Sequence, residues 1–257
     1  MKNFLDEQVH LINTKEFITA DPVQFPHRYS KLQDIEIVSF TVATIAWGRR
    51  EMILRDAERM LAQMGESPYE YVINEDYENL GTKNIHRTFF EYDLAYLLRG
   101  FHRIYAENQS VEEFLKKCEV HDAWQIAETL QREMQAANGG ATNARNCISV
   151  HFEKSALKRL NMALRWLVRN DGIVDLGVWK VLKPSELYIP LDVHVGNVAR
   201  ELGLLRRTAN DRKAVEELTK ILREFCPDDP VKYDFALFGT GVNSRNKNIQ
   251  NLATDKS

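Results

Sequence analysis

A carboxylate at the start of a predicted helix is the first candidate for chemistry in this sequence. Asp192 follows Pro190-Leu191 and precedes an amphipathic run over 193–202 that stops at Gly203. An aspartate in this position accepts the free N–H groups of the first helical turn, so we expect it to stay ionised. A fixed anion can stabilise a developing cation or orient a nucleophile. It can equally be a plain helix cap, and the local spacing leaves both interpretations open.

A basic helix upstream of this carboxylate offers a nucleophile. Ser155 is predicted to cap a helix that runs to residue 168 or 169, which places Lys158 in its first turn. The helix dipole disfavours an ammonium there, and burial would add to that effect, so an amine nucleophile is a candidate. A polar stripe recurs at helical spacing: Lys154, Lys158, Asn161, Arg165 and Arg169. The stripe could line a phosphate backbone, or it could be the solvated face of an amphipathic helix.

The distribution of charge along the chain shows a basic block around these two candidates. The chain of 257 residues has a formal net charge of −3. Residues 51–144 hold 9 basic and 17 acidic groups, whereas residues 145–213 hold 13 basic and 7 acidic groups. A basic block in an acidic chain indicates an anion-binding surface, although the same charges could pair with acidic neighbours.

The elements that must position these residues are predicted to be helices. Long stretches show the 3.6-residue apolar period, and only 7 Pro and 12 Gly interrupt them, so we predict an all-α fold. Asp34 is expected to cap a nearly all-apolar helix over 35–47 at the centre of the molecule. Ser110 and Glu113 predict a capping box. Residues 65–90 show few apolar repeats and indicate a loop or an insertion.

We expect one domain over 1–257 with two helical lobes and a cleft between them. Residues 30–150 would form one lobe, residues 1–29 with 151–240 the other, and residues 241–257 a polar tail. No apolar run approaches the roughly 18 residues of a membrane span, and the N-terminus lacks a signal-peptide pattern. The cysteines, Cys118, Cys147 and Cys226, lie far apart, which argues against a metal cluster or disulfide framework and favours the cytoplasm. We expect no metal, no cofactor, no membrane partner and a monomer.

The run over 188–204 resembles the catalytic helix of the helix-hairpin-helix (HhH-GPD) DNA glycosylase superfamily, whose pattern is Pro-(Val/Ile)-Asp-x-His-Val-x-Arg-(Val/Leu)-x-x-Arg-Leu-Gly-Leu. The matching residues are Pro190, Asp192, His194, Val195, Val198, Arg200, Leu202, Gly203 and Leu204. Residues 42–50 (Val-Ala-Thr-Ile-Ala-Trp-Gly-Arg-Arg) resemble the superfamily's run Val-Ala-x-Ile-Leu-Ser-Gln-Gln-Thr, which ends at the damaged-base pocket. The resemblance spans about 35–240 and implies a two-lobed helical fold.

This resemblance implies that DNA is the partner and that Asp192 is the catalytic carboxylate. Bifunctional members add a lysine nucleophile upstream, and Lys158 precedes Asp192 by 34 residues, a spacing similar to that of the archaeal 8-oxoguanine glycosylase branch. The implied reaction is removal of a damaged base, such as an oxidised purine, from a flipped nucleotide. Lys158 would form a Schiff base with the sugar, or Asp192 alone would orient water.

Further residues are candidates for contact with the base or with DNA phosphates. Trp47 could stack on an extruded base, or it could end the core helix. Arg49 and Arg50 could meet phosphate, or they could cap helix carbonyls. The remaining candidates are His27, Arg28, Lys154, Asn161 and His194.

The whole chain resembles still more closely a bacterial family of unknown function, through residues 25–30, 46–50, 158–161 and the Asp192 run. It departs from the glycosylase pattern Leu-Pro-Gly-Val-Gly-x-Lys, because residues 150–157 contain no Gly-x-Gly and Glu153 would repel phosphate. Two alternatives therefore stand beside the enzyme. One is a non-catalytic nucleic-acid- or nucleotide-binding protein with the same fold, and the other is a helical protein-interaction domain.

Overall fold

The computed structural model describes residues 1–143 and 146–240, and α-helices dominate it, which confirms the all-α prediction. The helices are α1 (Lys2–Ile12), α2 (Lys15–Ala20), α3 (Leu32–Ile45), α4 (Arg50–Met64), α5 (Pro68–Ile73), α6 (Glu91–Tyr105), α7 (Val111–Lys117), α8 (Ala123–Ala137), α9 (Lys158–Val168), α10 (Val193–Glu201) and α11 (Arg212–Phe225). Residues 233–240 are also helical. The predicted tail over 241–257 lies outside the described residues, and the division into two lobes stays a prediction.

Short 3-10 turns connect several of these helices. They lie at Pro22–Gln24, Pro26–Arg28, Asp76–Asn79, Phe152–Lys154, Pro184–Glu186 and Pro230–Lys232. The stretch over 65–90, predicted to be a loop or insertion, contains α5 and a small antiparallel hairpin of β1 (Asn84–His86) and β2 (Phe89–Phe90). Short strands need neighbours to be stable, and here β1 packs on α4.

Helix α3 lies at the centre of the molecule because it is apolar on nearly every side. All of its residues from Asp34 to Ile45 are buried, and α9, α5 and the turn Pro26–Arg28 pack against it. The prediction that Asp34 caps this helix is wrong, because α3 begins at Leu32 and Asp34 lies in its first turn. The Asp34 carboxylate instead accepts hydrogen bonds from Ser67 Oγ and the N–H of Tyr69, and so it holds the start of α5.

A buried carboxyl on α3 joins four parts of the chain. Glu36 accepts hydrogen bonds from Trp179 Nε1 at 2.8 Å and Tyr105 Oη at 2.9 Å. The N–H groups of Val111 and Glu112, which begin α7, donate to the same carboxyl at 2.9 and 3.0 Å. Burial raises the pKa of Glu36, and these donors oppose the rise. The group therefore ties α3 to α6, α7 and the chain after α9.

Within the described ranges, no helix is both long and apolar enough to cross a membrane.

Replacing Glu36 by Gln should destabilise the fold, because an amide NH₂ would then face a buried N–H donor. We expect a loss of about 2 kcal/mol in the free energy of unfolding, measured by urea titration. Glu70→Gln is the matched control, since the Glu70 carboxylate forms a solvent-exposed pair with Lys31, and its effect should stay within about 0.5 kcal/mol. Equal effects of the two substitutions would contradict this role of Glu36.

Candidate active site

Asp192 begins α10 as the sequence predicts. Its Oδ1 accepts hydrogen bonds from the N–H groups of His194 and Val195, both at 2.9 Å, and its backbone carbonyl accepts one from Asn210 Nδ2 at 3.1 Å. The side chain is partly exposed, and in the described part of the chain no hydrogen bond reaches Oδ2. One carboxylate oxygen is therefore committed to the start of the helix.

Helix α9 begins two residues later than predicted. Lys158 is its first residue and Leu157 precedes it, with a φ of 46° in the left-handed region. Ser155 does not cap the helix, because its Oγ accepts a hydrogen bond from the N–H of Leu157 instead. Since Leu157 is buried, packing holds this unusual backbone conformation in place. Lys158 still lies at the positive end of the helix dipole.

A short turn and a left-handed bend precede α9, where the sequence contains no Gly-x-Gly. The 3-10 turn Phe152–Lys154 precedes the bend at Leu157. Glu153, expected to repel phosphate, pairs with Arg212 at 2.9 Å. The left-handed conformation at position 157 is therefore adopted by leucine rather than glycine. The acidic side chain of Glu153 has a cationic partner in Arg212.

The end of α3 receives three side-chain donors from distant parts of the chain. Lys158 Nζ donates to the carbonyl of Ala46 at 3.2 Å, and Arg159 donates to the carbonyl of Thr44 at 2.8 Å. His86 Nε2 lies 2.8 Å from the carbonyl oxygen of Trp47. Cations at the C-terminus of a helix complement its dipole. The Lys158 amine is thus fixed at the meeting point of two helix ends.

Lys158 and Asp192 act on one buried carboxyl. Asp234, in the helical stretch 233–240, forms an ion pair with Arg165 Nη1. Burial raises the pKa of Asp234 to about 6; Arg165 and Lys158 lower it, and Asp192 raises it further. The charges of the predicted nucleophile and the predicted carboxylate therefore both reach the same group.

Asp21 is a second carboxyl of this cluster. It caps the turn Pro22–Gln24 by accepting a hydrogen bond from the N–H of Val23. Burial raises its pKa, and the positive charges of Arg50, Arg165 and Lys158 oppose that rise. Arg50 Nη2 lies 3.7 Å from Asp21 Oδ2. Sequence reasoning did not identify Asp21 or Asp234. The signal for Asp234 is a lone charge inside the apolar run over 233–238.

The polar stripe of α9 is neither a solvated face nor a phosphate-lining surface over most of its length. Arg165 and Arg169 are each 4% exposed, and Asn161 is 1% exposed. Arg165 pairs with Asp175 and Asp234, whereas Arg169 pairs with three carboxylates: Asp171, Asp175 and Asp229.

Asn161 donates a hydrogen bond to the carbonyl of Ala156, so it holds the turn before α9, and its burial leaves no surface for the expected DNA contact. At the other end of the stripe, Lys154 is exposed. Only Lys154 and Lys158 of the stripe therefore remain accessible to a ligand.

Trp47 and Arg49, two of the other predicted contact residues, differ in their surroundings. Trp47 packs edge-on against His86 with ring centroids 4.9 Å apart, and the Arg159 guanidinium lies 5.2 Å from the Trp47 ring centre. Arg49 is exposed and lies 3.4 Å from Glu51.

Two further candidates lie in the turn before α3, and one follows Asp192. His27 Nε2 contacts the carbonyl of Val174 at 2.6 Å, and Arg28 pairs with Glu58 at 2.9 Å. His194 is exposed beside Asp192. His27, Arg28 and His194 are all exposed.

A small cavity opens beside Lys158. It measures about 100 Å³ and is lined by Phe40, Thr44, Cys147, Ile148, Ser149, Ser155, Leu157, Lys158, Arg159 and Leu160. A typical ligand pocket has roughly 300–1,000 Å³, so this one would hold a single ring rather than a whole nucleotide.

A much larger open groove lies elsewhere, beside α5 and the β1–β2 hairpin, with a volume of about 1200 Å³. Neither Lys158 nor Asp192 lines it, and its acidic residues Glu66, Glu70, Asp76 and Glu91 outnumber its basic residues Arg59 and Lys83. The excess of acidic side chains makes this open groove unfavourable for a phosphate, whereas the smaller cavity is lined by the cations Lys158 and Arg159. No group of three or more metal-ligating side chains occurs among residues 1–143 and 146–240.

The model of a family described as "Protein of unknown function (DUF2400)" matches residues 21–243, a span that includes every charged group of the cluster from Asp21 to Asp234. No curated protein and no solved structure matches the chain. The relation to the glycosylase superfamily therefore stays a prediction.

Lys158 and Arg159 are neighbours with different expected contributions to stability. Arg159 donates to the carbonyls of Thr44, Asn146 and Cys147, whereas Lys158 donates to one carbonyl. Arg159→Met should therefore lower the free energy of unfolding by about 3 kcal/mol, and Lys158→Met by less than about 1 kcal/mol. Urea unfolding of both variants tests this difference. A loss at Lys158 as large as that at Arg159 would show that the lysine is mainly structural.

Proposed function

The chain belongs to the DUF2400 family, whose description assigns no activity, and we propose that it is a DNA base-excision enzyme with Lys158 as its nucleophile and Asp192 as its essential carboxylate. The observation that carries the proposal is that Lys158 begins α9 and Asp192 caps α10, so that an amine and a carboxylate lie at two helix starts although the two residues are 34 positions apart. An amine and a carboxylate at the starts of two helices are what base excision through a Schiff base requires.

The reaction uses the two groups in separate roles. The uncharged amine of Lys158 attacks C1′ of the sugar, and the bond between C1′ and the base breaks as the base leaves with its electron pair. Asp192 offsets the positive charge that builds on the sugar and takes up the proton that the amine loses. Ring opening then gives a Schiff base on Lys158, from which β-elimination can cut the strand.

The accessible cations near the site supply the expected contacts with DNA. Lys154 and Arg49 are exposed, and the Arg49 side chain is 78% exposed. Phosphate contacts of this type give affinity that falls steeply with salt. The removal of a damaged base, such as an oxidised purine, is the proposed reaction class, with the cavity beside Lys158 as the place for a single ring.

A non-catalytic nucleic-acid-binding protein is the second candidate. The observation that favours it is the burial of Arg165 and Arg169 in internal ion pairs, which removes two cations from the basic block. A protein of this kind would bind duplex DNA in a salt-sensitive way and would be indifferent to substitution of Lys158 or Asp192.

Borohydride reduction tests the proposed nucleophile. A duplex with an abasic site or an 8-oxoguanine should give a covalent protein–DNA species in the presence of sodium borohydride, visible as a shifted band on a denaturing gel. Lys158→Met should lower its yield by more than about 100-fold, because the attacking amine is gone. Lys220→Met, an exposed lysine on α11, is the matched control and should leave the yield unchanged.

Two results of this experiment would contradict the assignment of Lys158 as the nucleophile. An adduct that persists in Lys158→Met would assign the amine to another residue. The absence of an adduct and of base release across a panel of lesions, with DNA binding retained, would favour the non-catalytic protein.

The substitution Asp192→Asn distinguishes a role of this carboxylate in the reaction from its role as the cap of α10. Asn is as good a helix cap as Asp, so the free energy of unfolding should change by less than about 1 kcal/mol. The rate of base release should nevertheless fall by about 100- to 1,000-fold, since the charge that stabilises the developing cation is lost. Asp122→Asn, at the cap of α8, is the control and should leave the rate unaltered. Full activity in Asp192→Asn would exclude the carboxylate from the reaction.

A further inference from the structure

We propose that Arg87, at the tip of the β1–β2 hairpin, binds a phosphate group of DNA beside the site of Lys158. Sequence reasoning did not single out this arginine. The inference rests on the proposed function, because it names a further contact with the same partner. The contact itself does not depend on catalysis, so DNA binding alone can measure it.

The backbone of Arg87 adopts a conformation that arginine rarely takes. Its φ is 50°, in the left-handed region, where Gly and Asn are favoured because a larger side chain crowds the backbone. Asn84 Nδ2 holds the turn by donating to the carbonyl of Arg87 at 2.6 Å and to that of Phe89 at 3.4 Å. Backbone strain of this kind is concentrated at functional sites, so an arginine at this position indicates a role for its side chain.

The side chain of Arg87 lies against Gly48. A Cβ atom at position 48 would lie 2.6 Å from Arg87 Nη1 and 3.3 Å from its Cδ, so a glycine is needed to leave room for this side chain. Gly48 also has a φ of 100°, which larger residues rarely adopt. The glycine after Trp47 therefore lets the hairpin arginine approach the chain that follows α3.

This approach places Arg87 beside the proposed nucleophile. His86, its neighbour in β1, has Nε2 2.8 Å from the carbonyl oxygen of Trp47, and Lys158 Nζ donates to the carbonyl of Ala46 at 3.2 Å. Arg87 contacts the backbone two residues after Ala46. The hairpin and α9 thus bring an arginine and a lysine to the same short segment of chain.

The Arg87 side chain is held along its stem and is exposed to solvent. Across residues 1–143 and 146–240, no hydrogen bond or ion pair engages its guanidinium. Asp56, which lies 2.7 Å from His86 Nδ1, already accepts a hydrogen bond from Arg55 Nε at 2.9 Å. A guanidinium that is held in place and has free N–H groups can bind an oxyanion in a bidentate way, with little loss of side-chain entropy.

The charges around Arg87 favour a nucleic-acid backbone as the source of the anion. Arg49, whose exposed side chain lies 3.4 Å from Glu51, is the chain neighbour of Gly48, and Arg87 contacts the same glycine. Two arginines at one glycine suit a strand with successive phosphates, and Arg is well matched to phosphate geometry. Arg87 does not line the large acidic groove, so the two surfaces of the hairpin differ in charge.

The salt dependence of DNA binding tests this contact. Fluorescence anisotropy gives the Kd for a duplex that carries a tetrahydrofuran analogue of an abasic site, over roughly 50–300 mM NaCl. Each phosphate contact contributes about 0.9 to the slope of log Kd against log salt concentration. Arg87→Asn should therefore lower this slope by about 0.9 and weaken binding roughly tenfold at low salt.

Two further substitutions separate charge from backbone conformation. Arg87→Gly relieves the left-handed strain, so it should be at least as stable as the wild type in thermal unfolding and should lose the same slope as Arg87→Asn. Arg87→Lys keeps the positive charge and should keep the wild-type slope.

Arg103→Asn is the matched control, because this exposed arginine of α6 already pairs with Glu133 at 2.9 Å. Its slope and Kd should equal those of the wild type. An unchanged slope in Arg87→Asn and Arg87→Gly, or an equal loss in Arg103→Asn, would overturn the proposal. A wild-type protein that does not bind the duplex at about 50 mM salt would overturn it as well.

Borohydride trapping distinguishes failure of this inference from failure of the proposed function. If the adduct on Lys158 forms while the slope of Arg87→Asn is unchanged, the enzyme proposal stands and the arginine contact is wrong. If the slope falls by about 0.9 while no adduct forms, Arg87 binds DNA and the nucleophilic role of Lys158 is wrong.

Discussion

The free carbonyl groups at the end of a buried helix are the constraint on which the site depends. α3 is buried along almost its whole length, so donors from elsewhere in the chain must meet the carbonyls at its end. Those donors are the side chains of Lys158, Arg159 and His86. This requirement holds the start of α9 against the end of α3. The position of Lys158, the candidate nucleophile, therefore follows from the need for hydrogen-bond donors at the carbonyl groups that end α3.

The buried arginines of α9 are the second feature that shapes the site. The inner face of α9 carries Arg165 and Arg169, whose burial is possible only because carboxylates from later parts of the chain surround them. Both guanidinium groups also lie over the ring of Phe235. The same helix thus anchors the C-terminal stretch 233–240 at one end and presents an amine at the other. Stability and candidate chemistry therefore share one element of the fold.

The sequence predicts the parts of this arrangement that depend on neighbouring residues. Asp192 as a helix cap needs only the N–H groups two and three positions ahead, and Ser110 at the start of α7 is found in the same way. The start of α9 was misplaced because burial of Leu157, a tertiary effect, overrides the capping preference of Ser155. Whether the side chains of the α9 stripe are solvated or buried depends on partners up to 112 positions away, which no local pattern contains.

The account is tested most directly by a crystal structure of the protein bound to duplex DNA that carries a stable tetrahydrofuran analogue of an abasic site. The account predicts that the extruded sugar lies between Lys158 and Asp192, with the position of C1′ facing the amine and the free carboxylate oxygen beside the ring. A sugar bound in the large groove beside the β1–β2 hairpin, or on any surface that leaves Lys158 on the Ala46 carbonyl and Asp192 untouched, would contradict it.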